Sequence, residues 1–119
     1  MAPLHATRIG RLGERIAGHY LELVGYEIIE RNVRLSRVEI DLVAKRGGVL
    51  CFVEVRLRRH SVYGSAVETV LPAKQRHLRR AMELYLRRHP TGCYRFDVIA
   101  IDLEPGSGLR LLHVKHAFA

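Results

Sequence analysis

Apolar and polar residues alternate along the chain with two different periods. From Thr7, a residue type that can cap a helix, to about Val24, apolar residues recur every three or four positions, which predicts an amphipathic helix that Gly25 ends. The segments 26–32, 38–45 and 49–57 are short, rich in apolar and β-branched residues and separated by polar turns. They predict three antiparallel strands.

The second half of the chain predicts a helix followed by two strands. Pro72 suits the first turn of a helix over about 72–88, and residues 94–102 and 109–118 predict strands on either side of a glycine-containing turn. A helix that connects two strands of one sheet generally makes those strands parallel. The order α-β-β-β-α-β-β therefore predicts an α/β fold, with a mixed five-stranded sheet flanked by helices on both sides. A chain of 119 residues fits a single domain, residues 1–119.

Three carboxylates fall in segments that should be largely buried. Strict strand alternation places Glu39, Asp41 and Val43 on one face of the second strand, and Glu54 lies in the third strand. In a hairpin, residues at equal distances from the turn face each other. If the turn at residues 47 and 48 pairs these strands, Asp41 and Glu54 are near cross-strand neighbours, because 41 plus 54 equals 47 plus 48. A buried carboxylate costs several kcal/mol unless a charge compensates it.

Two kinds of positive charge could compensate these acids. A hard divalent cation such as Mg²⁺ binds carboxylate oxygens, and Glu14, at the border of the apolar stripe of the first helix, could reach the same ion. Alternatively, Arg56 and Arg95 pair with the acids. Arg95 and Asp97 alternate on one face of the fourth strand, so we expect a structural ion pair there, with a supporting role beside a metal as the second possibility.

Basic residues exceed acidic ones and are concentrated in two regions. The chain has 20 Lys and Arg against 12 Asp and Glu, a formal charge of +8 and a pI near 10.2, which favours a polyanionic partner such as nucleic acid. The alternative is a solvated helix face whose arginine stems cover the core. The residues expected to contact phosphates, at the end of the third strand and on the second helix, are Arg58, Arg59, Lys74, Arg76, Arg80 and Arg87.

The cysteines and the hydropathy pattern favour a cytoplasmic protein. Cys51 and Cys93 are expected to be reduced core residues and not a disulfide. No apolar run approaches the ~20 residues that span a bilayer, and the amino-terminal segment lacks the uninterrupted apolar region of a signal peptide. We expect no membrane partner.

Several stretches together resemble a known family of proteins. Asp41, a hairpin and then Glu54-Val55-Arg56 resemble the PD-(D/E)xK nuclease signature. The stretches GRLGERIAGHYLELVGYEIIERN, VEIDLVA, FVEVRLR, YGSAVETV and YRFDVIAI resemble the bacterial YraN-like family of predicted endonucleases, distantly similar to Holliday junction resolvases. This resemblance implies a restriction-endonuclease-like fold, Mg²⁺ or Mn²⁺ as cofactor, and a DNA substrate distinguished by structure, such as a branch, flap or junction.

The resemblance also implies roles for individual residues. Asp41 and Glu54 would hold the metal ion, and Glu14 would complete or orient its ligands. A metal-bound water would attack phosphorus, and Arg56 would help to neutralise the resulting charge. Two copies of the chain could pair to cut both strands of a junction. The residues expected to support the site are Glu39, Gln75, Arg95 and Asp97.

Arg56 departs from the nuclease signature, which has lysine at this position. A guanidinium group, with a pKa above ~12, cannot accept a proton from water, and general-base assistance is worth ~10²- to 10⁴-fold. Lys45, Lys74 and Lys115 could substitute, but the sequence places none of them at the site. Three functions therefore remain open: a slow endonuclease, a non-catalytic nucleic-acid-binding module derived from a nuclease, and a protein-interaction scaffold.

Overall fold

The computed structural model confirms the predicted order of helices and strands. It describes residues 2–58, 70–104, 106 and 108–118, with side chains from residue 10 onward. The elements are α1 (Ala2–Leu23), β1 (Glu27–Leu35), β2 (Val38–Arg46), β3 (Val49–Arg58), α2 (Pro72–Arg88), β4 (Tyr94–Glu104) and β5 (Gly108–Val114).

The five strands form one mixed sheet in the order β1-β2-β3-β4-β5. Neighbouring strands are antiparallel except for β3 and β4, which run parallel from the pair Leu50–Tyr94 to the pair Arg58–Asp102. The chain crosses from β3 to β4 through α2, so the predicted parallel connection is confirmed.

Each helix covers one face of the sheet. Leu78 and Ala81 of α2 belong to the same buried cluster as Phe52, whereas Ala17 and Leu21 of α1 belong to the cluster that contains Val53, Ile99 and Ile101. Because successive strand residues point to opposite faces, Phe52 and Val53 bury against different helices. The sheet is therefore enclosed between α1 and α2, as the sequence predicts.

Helix α1 begins earlier than the capping signal predicts. It starts at Ala2, so Thr7 lies inside the helix and not at its amino-terminal cap. Pro3 is compatible with the first turn of a helix, and the sequence between it and Thr7 contains no residue that stops one.

Gly25 ends α1 as predicted. It adopts a φ of 96°, its N–H donates to Glu22 at 3.1 Å, and the N–H of Tyr26 donates to Leu21 at 2.9 Å. This pair of bonds is a Schellman motif, which satisfies the last carbonyl groups of a helix. The buried stripe of α1 includes Leu21, whereas Leu23 is 86% exposed.

Gly13 lets α1 approach the sheet closely. A Cβ atom at this position would lie 3.3 Å from the Cβ of Leu57 in β3, so a larger residue would push the helix away. The next residue, Glu14, is thereby held near the ends of β2 and β3.

One of the two cysteines does not lie where the sequence predicts. Cys51 is buried, but Cys93 is exposed in the turn before β4, so the prediction of a core position for Cys93 is wrong. In the part of the chain that the structure describes, no helix has the length and apolar character needed to cross a membrane.

Candidate metal centre

The acidic residues lie where β2 and β3 separate. The ladder between these strands runs from the pair Arg46–Val49 to the pair Leu42–Val53, which confirms the predicted register, since each pair sums to 95. Beyond that pair, β2 and β3 no longer pair with each other. The start of β2 keeps only its partner β1, and the end of β3 keeps only its partner β4. The Oδ2 atom of Asp41 accepts the backbone N–H of Val55 at 2.8 Å. The carboxylate thus takes the place of a strand partner for Val55.

Strand β2 does not alternate strictly between faces at this point. Ile40 and Val43 both belong to the cluster beneath α2, whereas Leu42 and Ala44 belong to the cluster beneath α1. The prediction that Glu39, Asp41 and Val43 share one face is therefore wrong.

Asn32 of β1 accompanies this irregularity. The pairs Arg31–Leu42 and Val33–Ile40 bracket Asn32 and Asp41, and Asn32 has a φ of 53°. Asparagine tolerates this left-handed conformation better than most residues. Its side chain hydrogen-bonds to Glu14. Asn32 was not predicted as a site residue, and its only signal in the sequence is an asparagine within a strand segment.

Three carboxylates from α1 and β2 converge beside Asn32. One oxygen each from Glu14, Glu39 and Asp41 lies within 4.8 Å of the others. Glu14, Glu39 and Asn32 also line an open cavity of about 360 Å³ together with Arg11. Glu39 is thus a direct member of the cluster. Its charge partner is the exposed Arg34 at 3.8 Å, a type of contact that contributes little.

Glu54 completes the acidic cluster from β3. Its side chain is 6% exposed and in hydrogen-bonding contact with the Asp41 carboxyl group. Its Oε2 atom has no hydrogen-bond partner among the described residues. The Nζ of Lys74 lies 4.0 Å from that atom, an electrostatic contact too long for a hydrogen bond. An unsatisfied buried carboxylate oxygen is costly, which points to a missing partner.

Burial and the neighbouring acids raise the pKa values of Asp41 and Glu14. Burial, followed by the hydrogen bond and charge of Glu54, raises the pKa of Asp41 to about 8, although the N–H of Val55 opposes the shift. Burial and the charges of Asp41 and Glu39 raise the pKa of Glu14, against the opposing effects of Asn32 and Arg11. At neutral pH the metal-free cluster therefore retains a proton. A divalent cation would displace it.

Arg56 lies on the α2 side of the same region. It lines an open cavity of about 370 Å³ with Lys74 and His77. Lys74 is one of the three lysines considered as substitutes for the signature lysine, and its contact with Glu54 brings it to the site. Gln75 donates to the carbonyl of Val70 at 2.9 Å, so it fixes the start of α2.

Arg95 and Asp97 form the predicted ion pair. The Arg95 Nε is 2.9 Å from Asp97 Oδ1, and Asp97 also accepts bonds from the His113 ring at 2.8 Å and the His116 N–H at 3.2 Å. Burial alone would raise the pKa of Asp97, but these hydrogen bonds lower it. Arg95 is thus bound to Asp97 and to the hydroxyl group of Tyr26, and not to the acidic cluster.

The residues predicted to contact phosphates divide into two groups. Arg58 donates hydrogen bonds of 2.7 and 3.1 Å to Asp102. Because both side chains are largely buried, this ion pair has a structural role. Arg59 lies outside the described residues. The Lys74 side chain is 43% exposed, and Arg76, Arg80 and Arg87 of α2 are exposed as well.

Comparison with known proteins identifies relatives along nearly the whole chain. A family model described as "Uncharacterised protein family UPF0102" matches residues 13–101, a range that includes all four clustered acids. The UPF0102 protein STH1475 of Symbiobacterium thermophilum is 47% identical over 95% of this chain and 98% of its own length. A UPF0102 protein of Chlorobaculum parvum is 46% identical over 97% and 95%, and one of Chlorobium chlorochromatii is 42% identical over 99% and 97%.

Proposed function

The chain belongs to the uncharacterised protein family UPF0102, and we propose that it is a metal-dependent endonuclease that hydrolyses phosphodiester bonds in structured DNA. The proposal includes a restriction-endonuclease-like fold. One observation carries it. Carboxylates from α1 and β2 converge where the sheet opens, and Glu54 of β3 contacts one of them, Asp41, although the protein as a whole is strongly basic.

The donor set fits a hard divalent cation. It contains only oxygen atoms, which Mg²⁺ and Mn²⁺ prefer. Glu54 Oε2 is buried and lacks a hydrogen-bond partner among the described residues, and the raised pKa of Asp41 indicates that positive charge is needed beside it. Asp41 and Glu54 would hold the ion, with Glu14 and Glu39 adding or orienting ligands.

The bound cation would supply positive charge at the phosphate and lower the pKa of water. The chain's own residues would position the substrate. Arg56 lines the cavity beside Lys74, so these two groups can neutralise charge on the phosphate, but a guanidinium group does not serve as a general base. Asn32 holds Glu14 through its hydrogen bond. The exposed arginines of α2 would follow the phosphate backbone.

A second candidate is a nucleic-acid-binding protein without catalytic activity. Two observations favour it: arginine replaces the signature lysine at position 56, and Lys74 already compensates part of the charge of Glu54. If the protein has this second function, the charges of the clustered acids are compensated without a metal ion. DNA binding would then be independent of divalent cations.

Metal titration followed by a cleavage assay tests the proposal. Calorimetry with Mn²⁺ and Mg²⁺ should detect binding to the wild type and to the control Glu83→Gln, whose acid lies on the exposed side of α2, but not to Asp41→Asn. Branched DNA should be cleaved faster than linear DNA by the wild type in Mn²⁺, and not by Asp41→Asn.

Two outcomes would contradict the proposed endonuclease activity. Equal trace cleavage by the wild type and Asp41→Asn would indicate a contaminating nuclease. DNA binding without any detectable cation binding, with or without DNA, would favour the second candidate.

A further inference from the structure

A separate concave surface lies between α2 and the start of β4. Its volume is about 290 Å³, and we call it the β4 pocket. The residues that line it include Arg79, Met82, Tyr94, Phe96, His116 and Phe118. None of these belongs to the acidic cluster.

The floor of the β4 pocket is aromatic. Phe96 and Phe118 are 4% and 9% exposed, and their ring centroids are 5.0 Å apart. Tyr94 lies two residues before Phe96 in the same strand and therefore on the same face, yet it is 45% exposed. An aromatic ring that is partly exposed to solvent at the mouth of an apolar cavity offers a surface on which a flat ligand can stack.

The surroundings of the pocket are positively charged. Arg79 of α2 lines it, and Lys115 is exposed next to His116. The lining residues that the structure describes include no acid, and Glu83 of α2 is paired with Arg80 at 3.4 Å. A flat apolar ligand that carries negative charge fits this combination. A nucleobase attached to a phosphate has both properties.

We propose that the β4 pocket binds an unpaired base of a nucleic-acid strand, which stacks on Tyr94 while Arg79 faces its phosphate. The proposal goes beyond the endonuclease and rests only on the nucleic-acid binding that both candidate functions share. A base in a duplex is already stacked on its neighbours, so the pocket favours a strand that is single or locally unpaired.

The position of the pocket suits a strand that also reaches the acidic cluster. Leu50 lies opposite Tyr94, and Glu54 lies opposite Val98, so the two sites are separated by four residues along parallel strands. At the rise of a β-strand this is about 13 Å, or about four steps of a stacked nucleic-acid strand. The pocket would thus select substrates with an unpaired nucleotide close to the cleavage site.

Tryptophan fluorescence can test this proposal directly. The chain contains no tryptophan, so Tyr94→Trp places a single reporter at the mouth of the pocket. We expect a thymidine oligonucleotide to quench this reporter saturably, and an abasic oligonucleotide of equal length and charge not to do so. The titrations are made with EDTA in an Asp41→Asn background, so that cleavage cannot contribute.

Affinity measurements on variants of the protein provide a second test of base binding. Tyr94→Ala should weaken binding of the thymidine oligonucleotide about tenfold and leave binding of the abasic oligonucleotide unchanged. Tyr94→Phe keeps the ring and should retain the wild-type affinity. Leu109→Ala is the matched control, because Leu109 is an apolar β5 residue that is 47% exposed.

Equal affinity for the two oligonucleotides, unaffected by Tyr94→Ala, would overturn the base-binding pocket. This result is independent of the metal titrations. If base-dependent binding is found but no cation binds, the proposed base-binding role of the β4 pocket is supported and the proposed endonuclease activity is contradicted.

Discussion

Asp41 accepts the backbone N–H of Val55 at 2.8 Å, at the point where β2 and β3 stop pairing. The same carboxyl group lies among Glu14, Glu39 and Glu54. Asp41 therefore closes the end of a strand ladder and also forms the centre of the acidic cluster. An asparagine at this position can still accept the N–H of Val55 but carries no charge, so Asp41→Asn separates the two roles.

We expect Asp41→Asn to stabilise the metal-free protein at pH 8. The ordinary pKa of the Asp41 carboxyl group is 3.8 and its folded value is about 8, so the folded state binds the extra proton between these limits. The free energy of unfolding of the wild type therefore falls relative to that of the variant as pH rises through this window. At about 1.4 kcal/mol for each pKa unit, the shift from 3.8 to about 8 corresponds to a difference of several kcal/mol at pH 8.

Urea denaturation in EDTA at pH 5 and pH 8 measures this difference. Adding Mn²⁺ should reverse the order at pH 8, because a cation that binds only the folded wild type stabilises it. The prediction fails if the two proteins keep the same stability difference at both pH values.

Substitutions of Asn32 should separate its backbone role from its hydrogen bond. Asn32→Gly retains the left-handed conformation and loses the bond to Glu14, so it should fold normally and bind Mn²⁺ about tenfold more weakly. Asn32→Ala should show the same loss and be less stable by a further ~1 kcal/mol. Calorimetry and thermal denaturation provide the two measurements. Wild-type Mn²⁺ affinity in both variants would exclude a role for Asn32 in holding Glu14.

Arg56→Lys should increase cleavage of branched DNA in Mn²⁺ by ~10²-fold. A lysine can lose its proton where burial or a bound cation lowers its pKa, whereas a guanidinium group cannot. Single-turnover rates measure the change, and Arg56→Gln is the control that removes the positive charge without supplying a base. If Arg56→Lys is no faster than the wild type, proton acceptance at position 56 does not limit the reaction.

Asp97 should contribute to stability above about pH 4. Its folded pKa is lowered below the ordinary value of 3.8, so this contribution is fully present above that value and is lost as pH falls through the folded pKa. Asp97→Asn leaves Arg95 without its charge partner and should cost ~3 kcal/mol at pH 7. The cost should shrink below pH 4.

Urea denaturation from pH 3 to pH 8 follows this change. Glu104→Gln is the control, since Glu104 lies on the same strand with 29% of its side chain exposed, and should change stability by less than ~1 kcal/mol. A pH-independent difference between the wild type and Asp97→Asn would show that the loss is one of packing alone.

Local sequence signals predicted the elements whose limits are set by local chemistry. Pro72 marks the start of α2, Gly25 ends α1, and the turn at residues 47 and 48 fixes the register of β2 and β3. The Arg95–Asp97 pair was also predictable, because residues two apart in a strand share a face. These features depend on residues that are neighbours in the chain.

The acidic cluster was predicted only in outline, because its details depend on contacts between distant segments. The break in alternation after Ile40 is coupled to the left-handed Asn32 in another strand, and no periodicity in β2 reveals it. The contact of Lys74 with Glu54 depends on how α2 crosses the sheet. Arg58 pairs with Asp102 because β3 and β4 are parallel neighbours, a partner that sequence spacing does not identify.

The single parallel pair in the sheet has a consequence for folding. Strands β1 to β3 are joined by short turns, as are β4 and β5, whereas β3 meets β4 only after the chain has closed a loop over residues 59–93. Long closures lose more chain entropy and are slow. We therefore expect the three-stranded meander to form early and β4 to join last, which pulsed hydrogen exchange at Val98 and Ala100 would detect as late protection. The clustered acids would then be brought together before the central strand has its second neighbour.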